Sequence, residues 1–407
     1  MKTNTFLHGH ALEILKTFPD GCIDMVFTSP PYWGLRVYDC EPVIWDDPGG
    51  CEHRWGESPM PHDIRWRGGP SSEVGNHRNP DVLKGNVTSQ FCKKACGAWK
   101  GNLGLEPTPE LYIQHLIQIF DEVKRVLKKE ATCWVNMGDT YSGNGGGTSD
   151  YRDDINKSIQ GKGESKECYP AKSVAQQIKT IPAKSLCQIP FRFAIAMTDR
   201  GWILRNRIVW HKPNCIPASV KDRFTVDFEE IFFFTKSRKY YFEQQFEPAQ
   251  LVSIERLQRA VSNKHKYNCA VVPGQSMQGI HKPRPYKGAD GVGRKQNCAI
   301  STNLFSGNDY LVAPFDMEKG RNKRCVWRVS TKSFSDAHFA TFPPEIVETP
   351  IKAGSPPGGV VLDPFVGSGT TALVALGLGR KFIGIDISEK YYKMAQGRIE
   401  REMPLYA

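Results

Sequence analysis

The strongest constraint on the fold of this chain lies near its C-terminal end. Gly359–Leu362 (GVVL) and Lys381–Ile387 (KFIGIDI) read as buried strands, and Gly369–Leu378 and Ser388–Glu402 carry helical patterns. That alternation is a complete βαβα unit, which implies a parallel sheet with a right-handed crossover. A chain of 407 residues leaves room for about two or three structural units. With 40% hydrophobic and 24% charged residues it can build a sizeable core, which excludes wholesale disorder. No apolar run approaches the ~18 residues of a membrane span. The opening MKTNTFLHGHALEIL has no continuous apolar core of signal-peptide type. A soluble, non-secreted protein is expected, and its 12 cysteines should then be reduced thiols or metal ligands rather than disulfides.

Further secondary structure follows from periodicity. Ala11–Phe18 is a short helix and Ile23–Thr28 (IDMVFT) a compact buried strand, stopped by Pro30 and Pro31. Thr108 suits an N-cap with Pro109 at the first helical position, and Leu116, Phe120, Val123 and Leu127 recur at helical spacing. Ala131–Met137 reads as a strand, 190–200 as a helix, and Trp202–Trp210 and Glu229–Thr235 as two strands. Residues 344–353 look helical. The expected organisation is a first core segment over 1–37, an irregular Cys/His-rich insertion over 38–105, and a continuation over 106–238 with a mobile Gly-rich loop at 142–180. A basic region over 239–330 and the βαβα segment over 331–407 complete it.

Two loops carry candidate chemistry. The first, Asp363-Pro364-Phe365-Val366-Gly367-Ser368-Gly369-Thr370-Thr371, joins a strand to a helix N-terminus, where glycines let the backbone approach a ligand. Asp386 ends the next strand, where a carboxylate can accept hydrogen bonds from both ribose hydroxyls of an adenosine. A phosphate-cradling P-loop would need Gly-Lys-Ser/Thr, and a dinucleotide site would want a third glycine. An S-adenosylmethionine site, or a tight structural turn, fits what is present. The second loop, Ser29-Pro30-Pro31-Tyr32, should lie at the C-terminal edge of its strand. The prolines stiffen the backbone and leave carbonyls of Pro30 and Pro31 as acceptors beside the flat face of Tyr32. That arrangement suits the exocyclic amine of a planar base; a proline-rich strand terminator with a packed tyrosine is the plainer alternative.

Together the two loops resemble the amino-group DNA methyltransferases, and the acceptor loop preceding the cofactor loop with a long region between resembles their β class. The resemblance covers residues 5–36, 106–141, 184–244 and 336–400, including Gly138-Asp139-Thr140-Tyr141 and Trp210-His211-Lys212-Pro213-Asn214. It implies an α/β fold, a Rossmann-like S-adenosylmethionine-dependent methyltransferase sheet, circularly permuted so that the cofactor half comes last. It further implies that Ser29 and the Pro30 carbonyl accept hydrogen bonds from the target amine, and that Tyr32 stacks on a base flipped from duplex DNA. Phe365, Gly367, Gly369 and Asp386, with their loop neighbours Asp363, Ser368, Thr370 and Thr371, would hold S-adenosylmethionine. Phe342 lies in the segment 338–343, where the family places a further cofactor motif. Many relatives have Gly-Asp where this chain has Gly9-His10. The first loop residue is more often Asp in adenine enzymes and Ser in cytosine enzymes, so Ser29 points to N4 of cytosine, with N6 of adenine as the alternative. An RNA methyltransferase and a non-catalytic DNA-binding protein with a degenerate methyltransferase fold are the rivals. A cognate restriction enzyme is a partner such enzymes can have.

The net charge is +11, and residues 251–330, with 14 basic and 5 acidic residues, hold nine of those charges. A polyanion partner is expected there, with Lys282, Arg284 and Lys287, and also Lys212 and Asn214, as candidate DNA contacts. Within the insertion, Cys51-x-His53 and Cys92-x3-Cys96 can complete a tetrahedral site for one structural zinc, with Cys40 as a spare ligand. The insertion has little apolar periodicity, and a metal would explain how it folds.

Overall fold

The structure, a computed structural model, describes residues 1–34, 40–55, 90–142, 180–215, 217–218, 221–248, 286–287, 293–294, 320–331 and 342–403. Two compact units are present, one formed by Met1–Glu243 with Cys325–Ala407 and the other by Gln244–Arg324.

In the first unit the chain runs β1 (Thr5–His8), α1 (Ala11–Lys16), β2 (Ile23–Thr28), β3 (Val43–Trp45), β4 (Gln90–Phe91) and β5 (Trp99–Gly101). It continues with α2 (Pro109–Val126), β6 (Leu127–Met137), α3 (Ile189–Asp199), β7 (Ile203–His211) and β8 (Phe228–Thr235). In the second unit, β9 (Phe246–Glu247) pairs with β12 (Arg321–Asn322), and β10 (Tyr286–Lys287) with β11 (Gly293–Arg294). The chain then returns to the first unit as β13 (Val326–Arg328), α4 (Pro344–Gly354), β14 (Val360–Asp363), α5 (Thr370–Gly377), β15 (Lys381–Asp386) and α6 (Glu389–Glu402).

Eight strands form one sheet in the order β1-β15-β14-β2-β6-β8-β7-β13. All neighbours pair in parallel except β8, which is antiparallel to both β6 and β7. The first strand of the chain therefore lies beside its last, with His8 opposite Asp386. The expected βαβα unit is present, and its two strands are inserted between β1 and β2.

Side-chain alternation divides the core between the two faces of this sheet. Val26, Cys133, Val135, Phe232 and Phe234 face one cluster, built with buried side chains of α1, α2 and α3. Met25, Phe27, Trp134, Ile231 and Phe233 face the other, built with α4, α5 and α6. The result is a three-layered αβα arrangement. Trp134 and Phe233, opposite each other on β6 and β8, stack with ring centroids 4.0 Å apart, a cross-strand aromatic pair that fixes register. Helix α2 begins as its sequence dictates: the Thr108 side chain accepts a hydrogen bond from the Leu111 amide at 3.2 Å, and Pro109 occupies the first turn.

Two expectations change. The insertion over 38–105 is not wholly irregular: β3, β5 and β4 form a three-stranded antiparallel sheet, whose two- and three-residue strands are too short to leave an alternating pattern. The short strands β1 and β13 escaped the periodicity reading for the same reason. The Gly-rich loop of 142–180 lies, apart from its two end residues, outside the described residues. Lys282 and Arg284 also lie outside them, and Lys287 belongs to β10. Among the described residues no helix is long and apolar enough to cross a membrane.

Candidate active site

Because seven of the eight strands point the same way, their C-terminal ends share one edge, the place where open α/β sheets bind ligands. The acceptor loop leaves β2 there, the glycine loop leaves β14, and Asp386 ends β15. Lys212 follows β7, and Glu229 comes near the start of the antiparallel β8, which reaches the same edge. A single cavity of about 470 Å³ lies between them. Ser29, Pro30, Pro31 and Tyr32 line one part, and Phe365, Gly367, Ser368, Thr370 and Asp386 another. Phe342 also lines it, and its ring meets Phe27 edge-on at 5.5 Å.

The cofactor candidates therefore divide in two. Asp363, Gly369 and Thr371 are not among the residues that line the cavity, and each has a place in the packing of the loop. Asp363 is buried, and its carboxylate accepts hydrogen bonds from Thr28 Oγ1 (2.6 Å), Thr371 Oγ1 (2.6 Å) and the Phe365 amide (3.1 Å). It clamps the end of β2 to the glycine loop. Burial pushes its carboxyl up to about 6, against the opposing pull of these donors. Gly369 sits at φ +80°, and a Cβ there would lie 3.1 Å from Ala395 Cβ, so this glycine serves close packing of the loop on α6. Asp386 does line the cavity. Its oxygens accept the Gly367 amide at 2.9 Å and the Ser388 amide at 2.8 Å, and burial likewise raises its carboxyl to about 6. Each oxygen keeps a lone pair beyond those bonds.

The acceptor loop is held from behind. Tyr112 Oη donates to the Pro31 carbonyl at 2.7 Å, so Pro31 is not a free acceptor and that expectation is corrected. The Gly34 amide donates to the Gly104 carbonyl at 2.8 Å, and Trp33 Nε1 to the Glu106 carbonyl at 2.9 Å. Gly104 has φ +92°, and a Cβ there would lie 3.2 Å from the Tyr32 carbonyl, so only glycine allows this approach.

Tyr32 is anchored by its hydroxyl. It donates to Glu229 Oε2 at 2.8 Å and receives hydrogen bonds from Asn136 Nδ2 at 2.8 Å and Ser29 Oγ at 3.2 Å. Asn136 Nδ2 also reaches Glu229 Oε2 at 2.8 Å, and Lys212 Nζ donates to Glu229 Oε1. Burial, followed by the charge of Glu229, holds the phenol well above its ordinary range, so Tyr32 stays protonated. The ring packs against Gly138, where a Cβ would come within 2.7 Å of Tyr32 Cε2.

Two candidate DNA contacts have partners within the protein. Lys212 lines the cavity, paired with Glu229 and 4.4 Å from the centroid of the Trp210 ring. Asn214 is spent on Thr331: its Nδ2 donates to the Thr331 carbonyl at 2.9 Å, and its Oδ1 accepts the Thr331 amide at 2.9 Å. Asn136 and Glu229 escaped the sequence reading altogether. The one available signal was a carboxylate at the head of the apolar run EEIFFFT. The His10 imidazole lines the cavity, edge-on to Trp45 at 4.7 Å. Burial lowers its pKa to about 4, which leaves it neutral at physiological pH. The metal candidates are brought together elsewhere: the ligand atoms of Cys51, His53, Cys92 and Cys96 all lie within 4.8 Å of one another, and none lines the cavity. The spare candidate, Cys40, lines the cavity instead.

Comparison with known proteins agrees with this geometry. The chain is 31% identical over 404 residues to the type II methyltransferase M.XycI of Xanthomonas campestris pv. cyanopsidis, covering 98% of this chain and 89% of that protein. It is 30% identical over 402 residues to the type II methyltransferase M.Cfr9I of Citrobacter freundii, covering 98% and 88%. For M.SmaI of Serratia marcescens the identity is 29% over 393 residues, covering 97% and 89%. The N6/N4 family model, described as DNA methylase, matches residues 23–397, both candidate loops included, and the chain therefore belongs to this family of amino-group DNA methyltransferases.

Proposed function

We propose that the chain transfers the methyl group of S-adenosylmethionine to the exocyclic amine of a base flipped out of duplex DNA, and that the base is cytosine, methylated at N4. The observation that carries this reading is the single cavity, in which Asp386 and the glycine loop share walls with Ser29, Pro30 and Tyr32. Its volume of about 470 Å³ falls within the roughly 300–1,000 Å³ of small-ligand sites.

The residues present suit the donor. Asp386 offers carboxylate lone pairs to ribose hydroxyls, Phe365 offers an aromatic wall, and the glycine loop brings backbone close to the ligand. Bound there, S-adenosylmethionine supplies an electrophilic methyl group. An exocyclic amine is a weak nucleophile because its lone pair is delocalised into the ring. Ser29 Oγ and the Pro30 carbonyl accept its protons' hydrogen bonds and draw the nitrogen toward tetrahedral geometry, which localises the pair. Tyr32, fixed at its hydroxyl by Glu229 and Asn136, offers its ring to the base. Orientation then supplies much of the acceleration, and no cysteine nucleophile is required. Ser29 at the first loop position, where the family resemblance associates Ser with cytosine and Asp with adenine, supports cytosine over adenine. The bonds that hold Pro31 from behind support a pre-set acceptor loop.

The test is to incubate the protein with labelled donor and duplex DNA, or RNA as control, and to weigh the digested nucleosides by mass spectrometry. N4-methylcytosine from DNA is expected. N6-methyladenine as the sole product would overturn the base assignment, label in RNA alone the substrate, and no transfer at all the enzyme itself.

A further inference from the structure

Among the described residues, a cluster of metal-ligating side chains lies outside the cavity lining. Cys51 and His53 follow β3, Cys92 follows β4 directly, and Cys96 lies in the connection from β4 to β5. The small sheet β3-β5-β4 thus presents four ligand atoms from two chain segments at one end. Cys51 Sγ and Cys92 Sγ are 4.0 Å apart, and Cys96 Sγ is 3.4 Å from His53 Nδ1. Tetrahedral zinc with three sulfurs at ~2.3 Å and one imidazole nitrogen at ~2.0–2.1 Å needs ligand–ligand edges of roughly 3.5–3.8 Å. These two edges bracket that range, and all the ligand atoms lie within 4.8 Å of one another. The ring is also turned as a metal ligand requires: Nδ1 faces the sulfurs, while Nε2 lies 3.2 Å from Asp47 Oδ1, at ion-pair distance rather than as an aligned hydrogen bond. A carboxylate behind the outer nitrogen fixes the ring orientation in metal sites. Three soft thiolates with one imidazole select zinc over hard cations such as magnesium or calcium.

This same end of the sheet, where Trp45 at the close of β3 pairs with Trp99 at the start of β5, is tied to the acceptor loop. Trp45 of β3 and Trp99 of β5 both stack on the buried His115 of α2, at centroid distances of 4.4 and 5.2 Å. His115 Nδ1 lies 2.9 Å from Glu106 Oε1, and Glu106 Oε2 accepts the Gly104 amide at 2.7 Å. Gly104 is the residue whose carbonyl accepts the Gly34 amide, and a Cβ on it would lie 3.2 Å from the Tyr32 carbonyl.

We propose that Cys51, His53, Cys92 and Cys96 bind a structural zinc ion, and that this metal, by holding β3 against the β4–β5 hairpin, sets the wall that supports the Ser29–Tyr32 loop. On binding, three thiols lose their protons and the zinc is held by three thiolates and a neutral imidazole. The existence of the site does not depend on the proposed methyl-transfer chemistry; its effect on the loop is read without activity.

Elemental analysis of full-length protein, grown with zinc and purified without chelator, should find a single zinc per chain. A thiol-blocking mercurial should release it to a chromogenic indicator. Cys92→Ser combined with Cys96→Ser should abolish the metal. Should that variant fail to fold, cobalt exchanged into the wild-type protein serves in its place, and should show the intense visible bands of a tetrahedral thiolate site. After zinc removal, hydrogen exchange should speed up roughly tenfold or more in 90–106 and in 29–34, with β14 and β15 unchanged. Protein that neither carries zinc nor takes up cobalt, or a folded double variant that keeps its zinc, would overturn the site. Unchanged exchange in 29–34 on metal loss would overturn the link to the acceptor loop.

Discussion

The hydroxyl of Tyr32 donates to Glu229 Oε2 at 2.8 Å across 197 residues of sequence. This bond joins the acceptor loop after β2 to the one antiparallel strand of the sheet and turns an exposed-looking Pro-Pro-Tyr turn into a fixed wall. Glu229 is in turn held by Lys212, just beyond β7, and by Asn136 of β6, so residues from three neighbouring strands and their ends fix one aromatic ring.

Glu229→Gln should therefore impair more than charge. It leaves the Lys212 ammonium largely buried beside a neutral amide and weakens the hold on Tyr32. A loss of about 1–3 kcal/mol in stability is expected, with donor affinity retained. Denaturant titration, donor calorimetry and single-turnover methyl transfer measured side by side should show a slower transfer step without weaker donor binding.

Asp386 should make donor binding depend on pH. Its carboxyl titrates at about 6 in the free protein, and the ionised form is the better acceptor for ribose hydroxyls. Affinity should rise as the pH climbs through about 6 and level off above it. Asp386→Ala should weaken binding by about 1–3 kcal/mol and remove the pH dependence. Calorimetric titration at several pH values checks both; unchanged affinity in the variant would remove Asp386 from the site.

Asp363 should leave a signature in stability rather than in binding. Its carboxyl is raised from 3.8 to about 6 in the folded protein, so the native state holds the proton more tightly than the unfolded chain. Stability from this group is then full below about 4 and falls as the pH rises toward about 6. Asp386 contributes in the same direction, so Asp363→Asn should flatten, not abolish, the slope of melting temperature against pH in that window. Thermal melts of the two proteins from acid to neutral pH provide the comparison.

Lys282, Arg284 and Lys287 are expected to meet DNA phosphates. Neutralising all three should flatten the dependence of log affinity on log salt, by up to about 0.9 per lost phosphate contact. Duplex binding measured by fluorescence anisotropy over a salt series is the check. An unaltered slope would place the DNA path elsewhere.

The βαβα unit, the Thr108 cap, the Ile23–Thr28 strand and both functional loops were legible in the sequence because each rests on local rules: a period, a capping side chain, a proline stop, a glycine at a turn. Those rules do not reach across the chain. Only the tertiary structure could place β15 between β1 and β14, make Asp363 a clamp between β2 and the glycine loop, and engage the Pro31 carbonyl with Tyr112. Only it could bring Lys212 onto Glu229. A side chain's partner is set by which strands lie adjacent and in what register, and that is decided by burial of the whole sheet between two helical layers rather than by any neighbour in sequence. The paired cysteines announced their own chemistry through spacing; whether two pairs 41 residues apart meet at one point was for the small sheet β3-β5-β4 to decide.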